Sequence, residues 1–478
     1  MNTLIEAIQN KQNVTLTENG AVTLKSTLKH TVDFFGLGGA LRQRTEDDVL
    51  SLFSKAFSEN PLVSVKTLFY LRDILFGQGE RKTFRTCFNW LATTHPEIAS
   101  KNLTNIVKYG RWDDLFCVRG TSVWKNYALP LIQAEWYKGG KPSLMFKWLK
   151  SNNTSSKESR IIAEEVRSFL GVSPRTYRKT LSEKRAELNV VERDMCANRW
   201  DQINYKGVPS KAALNYKDAF VRHDGERYNG FLADVKSGKT TINAGTLYPY
   251  DIVRKCLDGD NSPTLDVLWD ELPIFLPEDS SNGIVVADVS GSMSGLPMAV
   301  SISLAMYISE RNKGHFANHF ITFSESPTLQ KVIGYGVVDK VRNLSKADWG
   351  MNTDLESVFN LILNTAKENN IPASEMPSKI YIISDMEFDV ACHYTDKSLF
   401  ENISSLYEEA GYKRPELVFW NVNARNTQSP VKFDESGTCL VSGCSPSILK
   451  SLLAGEILDS EKLMMDTLNV ERYDSVVV

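Results

Sequence analysis

Asp288, Ser290 and Ser292 stand in the run Gly283-Ile-Val-Val-Ala-Asp-Val-Ser-Gly-Ser-Met293, which offers one carboxylate and two hydroxyls at alternate positions. These are hard oxygen donors, and Mg²⁺ or a similar divalent cation prefers such oxygens at ~2.1 Å in an octahedron that keeps several waters. Two further segments carry donors of the same kind. Trp349-Gly-Met-Asn-Thr353-Asp354 opens the amphipathic stretch Leu355 to Lys367, and Lys379-Ile-Tyr-Ile-Ile-Ser-Asp385 ends in an acid. An Asp after a strand is often only a helix cap, and Ser-Gly-Ser is often only a turn. Three such loops in order favour a cation, with Asp288, Ser290, Ser292, Thr353 and Asp385 as its ligands and Asp385 acting directly or through a water.

Strands must bring these loops together. Gly283 to Asp288 is a run of small and β-branched residues bounded by glycine, as a central strand of a parallel sheet requires, and its carboxyl end is where open α/β sheets bind ligands. Further strands are expected at His315 to Phe323, Lys379 to Ser384, Glu416 to Val422 and Thr438 to Val441, alternating with helices at Pro297 to Glu310, Asp354 to Lys367, Ser398 to Glu409 and Pro446 to Leu453. That alternation predicts an α/β doubly wound domain over residues 281–478. Residues 1–280 read differently. Thr45-Glu-Asp-Asp48 is a helix-opening box, and the apolar groups from Val49 to Phe57, Val65 to Leu75, Phe84 to Leu91 and Leu103 to Val107 repeat at three and four residues. Helix pairs without strands predict a multidomain chain that opens with an all-α, HEAT-like helical-repeat module, the acid-rich segment Leu276 to Ser281 forming the boundary.

Composition narrows the function classes. At 478 residues, with 42% hydrophobic and 24% charged, the chain reads as a soluble protein of two or more domains. No apolar run reaches the ~20 residues a membrane span needs, and the start lacks the basic and apolar parts of a signal peptide, so a cytoplasmic protein without a membrane partner is expected. The seven cysteines include no Cys-x-x-Cys pair and read as reduced thiols. His315 and His319 sit on an expected strand rather than at zinc spacing. Gly77-Gln-Gly79 lacks the rest of a phosphate loop and Ser290 has no nearby histidine, so neither a nucleotide cofactor nor catalysis is expected. Residues 281–478 hold 16 Lys and Arg against 25 Asp and Glu, a net −9, which leaves +6 for the first 280. The basic half is the candidate for an anionic partner.

The three oxygen-bearing loops resemble the metal-ion-dependent adhesion site of von Willebrand factor type A domains: Asp288, Ser290 and Ser292 match its first loop, Thr353 its threonine loop and Asp385 its last acid. That resemblance implies a cation whose coordination is completed by an acidic residue of a protein partner. A helical module followed by such a domain resembles the Ro autoantigen and its bacterial relatives, whose helical part is the TROVE module. A closer resemblance is to an uncharacterised TROVE-like family of plants, bacteria and phages, carried by Tyr70-Leu-Arg-Asp-Ile-Leu-Phe-Gly-Gln-Gly-Glu-Arg81, Tyr109-Gly-Arg-Trp-Asp-Asp114, Lys147-Trp-Leu149 with Ser155-Ser-Lys157, and Ile242-Asn-Ala-Gly245. The Ro likeness implies a ring of helical repeats closed by the A domain, with a single-stranded RNA end through the hole and structured RNA on the basic surface. Lys138 to Arg185 is the most basic stretch, with twelve Lys and Arg against four acids. Its candidate RNA contacts are Lys147, Lys150, Lys157, Arg160, Arg175, Arg178, Lys179 and Arg185, which supply cations for phosphates, and Tyr177, whose ring could stack a base. A solvated helix face reads the same way. A non-catalytic, Mg²⁺-binding ribonucleoprotein component is thus one expectation, and a protein-adhesion module without RNA is the other. Arg72 with Asp73 and Arg111 with Asp113 or Asp114 read as ion pairs between helices rather than as binding groups.

Overall fold

The computed structural model describes residues 3–276, 282–322, 327–345, 354–389, 399–454 and 459–478. Up to residue 276 the chain is helical apart from one hairpin. Local chemistry sets the helix ends. The Thr45 hydroxyl accepts from the Asp48 amide and opens Glu46–Glu59; Asn60 and Ser173 do the same for Pro61–Arg72 and Pro174–Glu187, each with proline in the first turn. Gly171, at φ +69°, closes Lys157–Leu170 in the left-handed conformation that favours glycine.

The expectation of a strand-free first half is corrected by β1 (Val14–Leu16) and β2 (Val22–Leu24), an antiparallel pair in which Val14 faces Leu24 and Leu16 faces Val22. The remaining strands are β3 (Gly283–Ala287), β4 (His319–Thr322), β5 (Thr328–Lys331), β6 (Lys379–Ser384), β7 (Glu416–Asn421) and β8 (Thr438–Ser442). They form one mixed sheet in the order β5-β4-β3-β6-β7-β8, parallel throughout except for the antiparallel edge strand β5. β3 and β6 are buried at every position, as Gly283 to Ala287 and the apolar run Ile380 to Ile383 require, and the buried Lys379 at the start of β6 reaches Glu416 and the Leu452 carbonyl. β4 is shorter than expected, because Asn318 turns the chain at φ +60° just before it and leaves His315 outside the strand. Asp354 caps the helix Leu355–Glu368 by accepting from the Ser357 amide at 3.0 Å.

The two halves are clasped at both chain ends. Leu24 and Ser429 exchange backbone hydrogen bonds at 3.0 and 2.9 Å, and the Thr17 hydroxyl donates to the Phe388 carbonyl at 2.7 Å. The helix His30–Leu37 lies on β8, and Gly39 approaches it so closely that a Cβ there would stand 2.7 Å from the Ser442 carbonyl oxygen. At the other end Asn105 donates to the Ser475 carbonyl and Asn102 to that of Val477. Buried side chains of both halves form one continuous core. Three ion pairs cross between the halves among the described residues: Lys29–Glu461, Arg425–Glu18 and Arg472–Asp73. In two of them the acidic half supplies the cation, so shape and burial, more than net charge, hold the halves together. Most of the expected boundary, 277–281, lies outside the described residues. The six described cysteines are free thiols, and no described helix is long and apolar enough to cross a membrane.

Candidate cation site and basic cleft

Counted within the sheet, the strand order runs 3-2-1-4-5-6, so the direction of winding reverses between β3 and β6. Connections that leave a parallel sheet in opposite directions open a crevice at the carboxyl ends of the two strands. Asp288 directly follows β3, and Asp385 directly follows β6. Asp288 is wholly buried: its Oδ1 accepts from the Ser290 amide at 2.9 Å and its Oδ2 from the Ser384 hydroxyl at 2.6 Å. Ser290 and Ser292 share a hydroxyl hydrogen bond at 3.1 Å. Asp385 is 1% exposed, and its Oδ1 accepts from the Glu387 amide at 3.2 Å, while its Oδ2 is buried without a hydrogen-bond partner.

Burial pushes the Asp288 carboxyl up to about 6, against the opposing pull of Ser384 and Ser290, and the neighbouring Asp385 pushes it the same way. Burial also raises Asp385, which the Ser292 hydroxyl, the Glu387 amide and Arg425 partly offset. Two buried acids beside two hydroxyls, one carboxylate oxygen without a hydrogen-bond partner, form a donor set of the kind a small hard cation prefers. Thus the structure brings together Asp288, Ser290, Ser292 and Asp385; Thr353 lies outside the described residues. Two neighbours were not foreseen. Ser384 was legible as a polar residue one position before Asp385, whereas Arg425, 4.0 Å from Asp385 and paired with Glu18, carries no local signal.

The basic stretch divides on folding. Arg178, Ser182 and Arg185 fall four and seven residues along one face of Pro174–Glu187, and with Lys147, Ser151, Asn153 and Arg193 they line a cleft of about 650 Å³. Glu192 is its one acid. Arg185 is partly spent on structure, donating to the carbonyls of Phe146 and Leu149 at 2.9 and 2.8 Å. Lys147 lies 5.9 Å from the Trp148 ring, whose face also carries the Arg111 guanidinium at 3.9 Å. Lys157, Arg160, Arg175 and Lys179 are exposed away from the cleft lining, Arg160 donating to the Thr154 and Ser155 carbonyls and Lys179 standing 3.7 Å from Glu183. Lys150 sits over the Phe116 ring at 5.7 Å. Tyr177 corrects the expectation of a base-stacking ring: it is 0% exposed, stacked on Trp136 at 5.3 Å and 5°, and donates to the Lys150 carbonyl. Its ring belongs to the core because position 177 faces inward with Leu181, one turn on. Arg193 lies beyond the basic stretch Lys138 to Arg185.

The paired acids and arginines of the first half are structural. The fully buried Asp114 accepts from the buried Arg72 and from the partly exposed Arg85, and Asp113 accepts from Arg85 and Arg111. Asp73 pairs with Arg472 rather than with Arg72.

Two family models divide most of the chain between them. One, a domain of unknown function (DUF2828), matches residues 17–122 and 145–272. The other, a domain of unknown function (DUF7788), matches residues 282–475. The chain is 29% identical over 501 aligned positions to the uncharacterized protein L728 of Acanthamoeba polyphaga mimivirus, a match covering 95% of this chain and 87% of that protein. Among solved structures it aligns with the Deinococcus radiodurans RO (RSR) protein at 12% identity, over 93% of this chain and 99% of that one. The TM-score of that alignment is 0.37.

Proposed function

We propose that this chain is a non-catalytic RNA-binding scaffold of the Ro type, whose helical half holds RNA and whose sheet domain, of von Willebrand A kind, holds one divalent cation. The basic cleft carries this reading: four cations, Lys147, Arg178, Arg185 and Arg193, face one concavity with a single acid. Such a concavity focuses positive potential and attracts a phosphate backbone, and its polar floor of Ser151, Asn153 and Ser182 offers hydrogen bonds to sugars and phosphates. With Tyr177 withdrawn into the core, binding is through the backbone rather than by stacking, and therefore tolerant of sequence. A single-stranded RNA end fits that chemistry, and the architectural resemblance to the Ro proteins implies the same ligand.

Asp288, Ser290 and Ser292 would hold the cation, with Thr353, and with Asp385 directly or through a water. When bound, the cation supplies an open coordination position that takes the acidic residue of a protein partner. The residues of this chain fix the donors in advance: Ser384 and the Ser290 amide orient Asp288, and the Glu387 amide orients Asp385. The buried Asp385 Oδ2, which has no hydrogen-bond partner and stands 4.0 Å from Arg425, favours a second reading, a cation-dependent adhesion module that binds no RNA. In either reading the protein works in the cytoplasm without a nucleotide cofactor. Absorbance at 260 and 280 nm of freshly purified protein, before and after ribonuclease, separates the two: nuclease-sensitive co-purifying nucleic acid supports the scaffold, and its absence at low salt supports adhesion.

A further inference from the structure

A second charged concavity lies where the two halves meet, and it shares no residue with the cation site or the basic cleft. It encloses about 570 Å³ and is lined by Phe76 and Lys108 from the helical half and by Lys450, Thr467, Arg472 and Tyr473 from the other. Three cations are gathered there. Arg472 and Lys450 both sit over the Phe76 ring, at 4.7 and 5.5 Å from its centre, and Lys450 is also 5.4 Å from the Phe275 ring. Lys108 joins them by donating to the Arg472 carbonyl at 3.2 Å and the Ser475 hydroxyl at 2.9 Å.

Among the described residues one of the three is neutralised, Arg472 by Asp73. Among the described residues neither Lys450 nor Lys108 has a carboxylate within 4.0 Å, and Glu471 is the one acid of the lining. Thr467 contributes a further unmet group: it is 6% exposed, and its Oγ1 is buried without a hydrogen-bond partner. Folding tolerates like charges in one concavity, and an unpaired buried hydroxyl beside them, when a ligand supplies what is missing. Two ammonium groups can only donate, and the Thr467 hydroxyl can donate beside them, so the ligand that satisfies all three is an anion rich in acceptor oxygens. Both cations over Phe76 occupy its face, so the ring is not a platform for a base.

We propose that this cleft is a binding site for a phosphate-type oxyanion of a small molecule, held by Lys450 and Lys108 with Thr467 as hydroxyl donor. Because its donors come from both halves, the ligand is a cross-brace between them, and occupancy raises the stability of the whole chain. The test is calorimetric titration of the full chain with inorganic pyrophosphate at fixed ionic strength, with sulfate and a short single-stranded RNA as parallel arms. Saturable pyrophosphate binding is expected, weakened ~10-fold or more by Lys450→Ala, which removes a charge-assisted contact, and several-fold by Thr467→Val, while Lys147→Glu in the other cleft leaves it unchanged. Pyrophosphate should also raise the thermal midpoint of the wild type and not that of Lys450→Ala. No saturable binding, equal effects of sulfate and pyrophosphate, or an unaltered Lys450→Ala variant would overturn the proposal. Binding of RNA alone, lost in Lys450→Ala, would overturn the small-molecule assignment and make the site a polynucleotide contact. Should Thr467→Val fail to fold, Lys450→Ala, a change at an exposed side chain, decides the matter.

Discussion

Asp288→Asn should stabilise the cation-free protein at neutral pH. The wild-type carboxyl is raised from 3.8 to about 6, with burial the leading cause. A raised folded value means that the ionised form costs free energy in the fold. The cost is absent below the unfolded value near 4, grows through the window from about 4 to 6, and is complete above 6. A shift of that size corresponds to ~3 kcal/mol. Asparagine is nearly isosteric, keeps an oxygen for the Ser290 amide and can donate to Ser384, which loses little, because the Ser384 hydroxyl also accepts from Met386 and can turn. A net gain of ~1–3 kcal/mol, a few degrees in Tm, is expected in chelator at pH 7.5, vanishing near pH 4. In millimolar Mg²⁺ the order should reverse, since only the wild type gains from the cation. Differential scanning calorimetry of both proteins across pH, with and without Mg²⁺, measures this directly. A variant that is destabilised in chelator at pH 7.5 would refute the reasoning, for Asp288 would then be a structural anion and not a ligand held ready.

Gly39→Ala should destabilise by ~1–3 kcal/mol, because the new methyl meets the Ser442 backbone, which cannot move aside; chemical denaturation reads the loss, and no change would mean the halves are not in contact there. Tyr177→Phe should cost ~1 kcal/mol through the lost hydrogen bond to Lys150 while leaving nucleic-acid affinity intact; a drop in affinity without a drop in stability would restore the stacking role. Deleting residues 473–478 should loosen both halves together, since Tyr473 is buried and Ser475 and Val477 hold Asn105 and Asn102; hydrogen exchange confined to the tail itself would contradict that.

Sequence made some of this architecture plain for physical reasons. β3 and β6 are buried on both faces, so their centres are runs of Ile, Val and Tyr, and the acids that follow them were legible as the ends of strands. Edge strand β5, Thr-Leu-Gln-Lys, is largely exposed and short, and it has no such imprint. The hairpin β1–β2 did leave one: Val-Thr-Leu occurs on either side of Asn19-Gly20, a turn signal that the helical text around it obscured. Tyr177 misled because charge on its neighbours says nothing about which way one position of a helix faces. Asp73 illustrates the rest. Its partner Arg472 lies 399 residues away, and no local pattern encodes a contact made by two chain ends. The division of one basic stretch into a cleft face and a solvated face likewise depended on how Pro174–Glu187 packs, through Tyr177 and Leu181, against its neighbours.

The most direct test of the scaffold reading is the salt dependence of RNA binding, measured by anisotropy with a short single strand on the wild type and on a Lys147→Glu, Arg178→Glu, Arg193→Glu triple variant. These side chains line the cleft, and none makes an ion pair among the described residues, so reversal should leave the fold intact. Each phosphate neutralised contributes ~0.7 to the slope of log affinity against log salt. The account predicts that the wild type binds with a slope of about 2 or more and that the triple variant loses roughly two units of slope and most of its affinity at low salt, while Asp288→Ala changes neither. Binding that survives the triple reversal with its slope intact, or that disappears with Asp288→Ala, would contradict it.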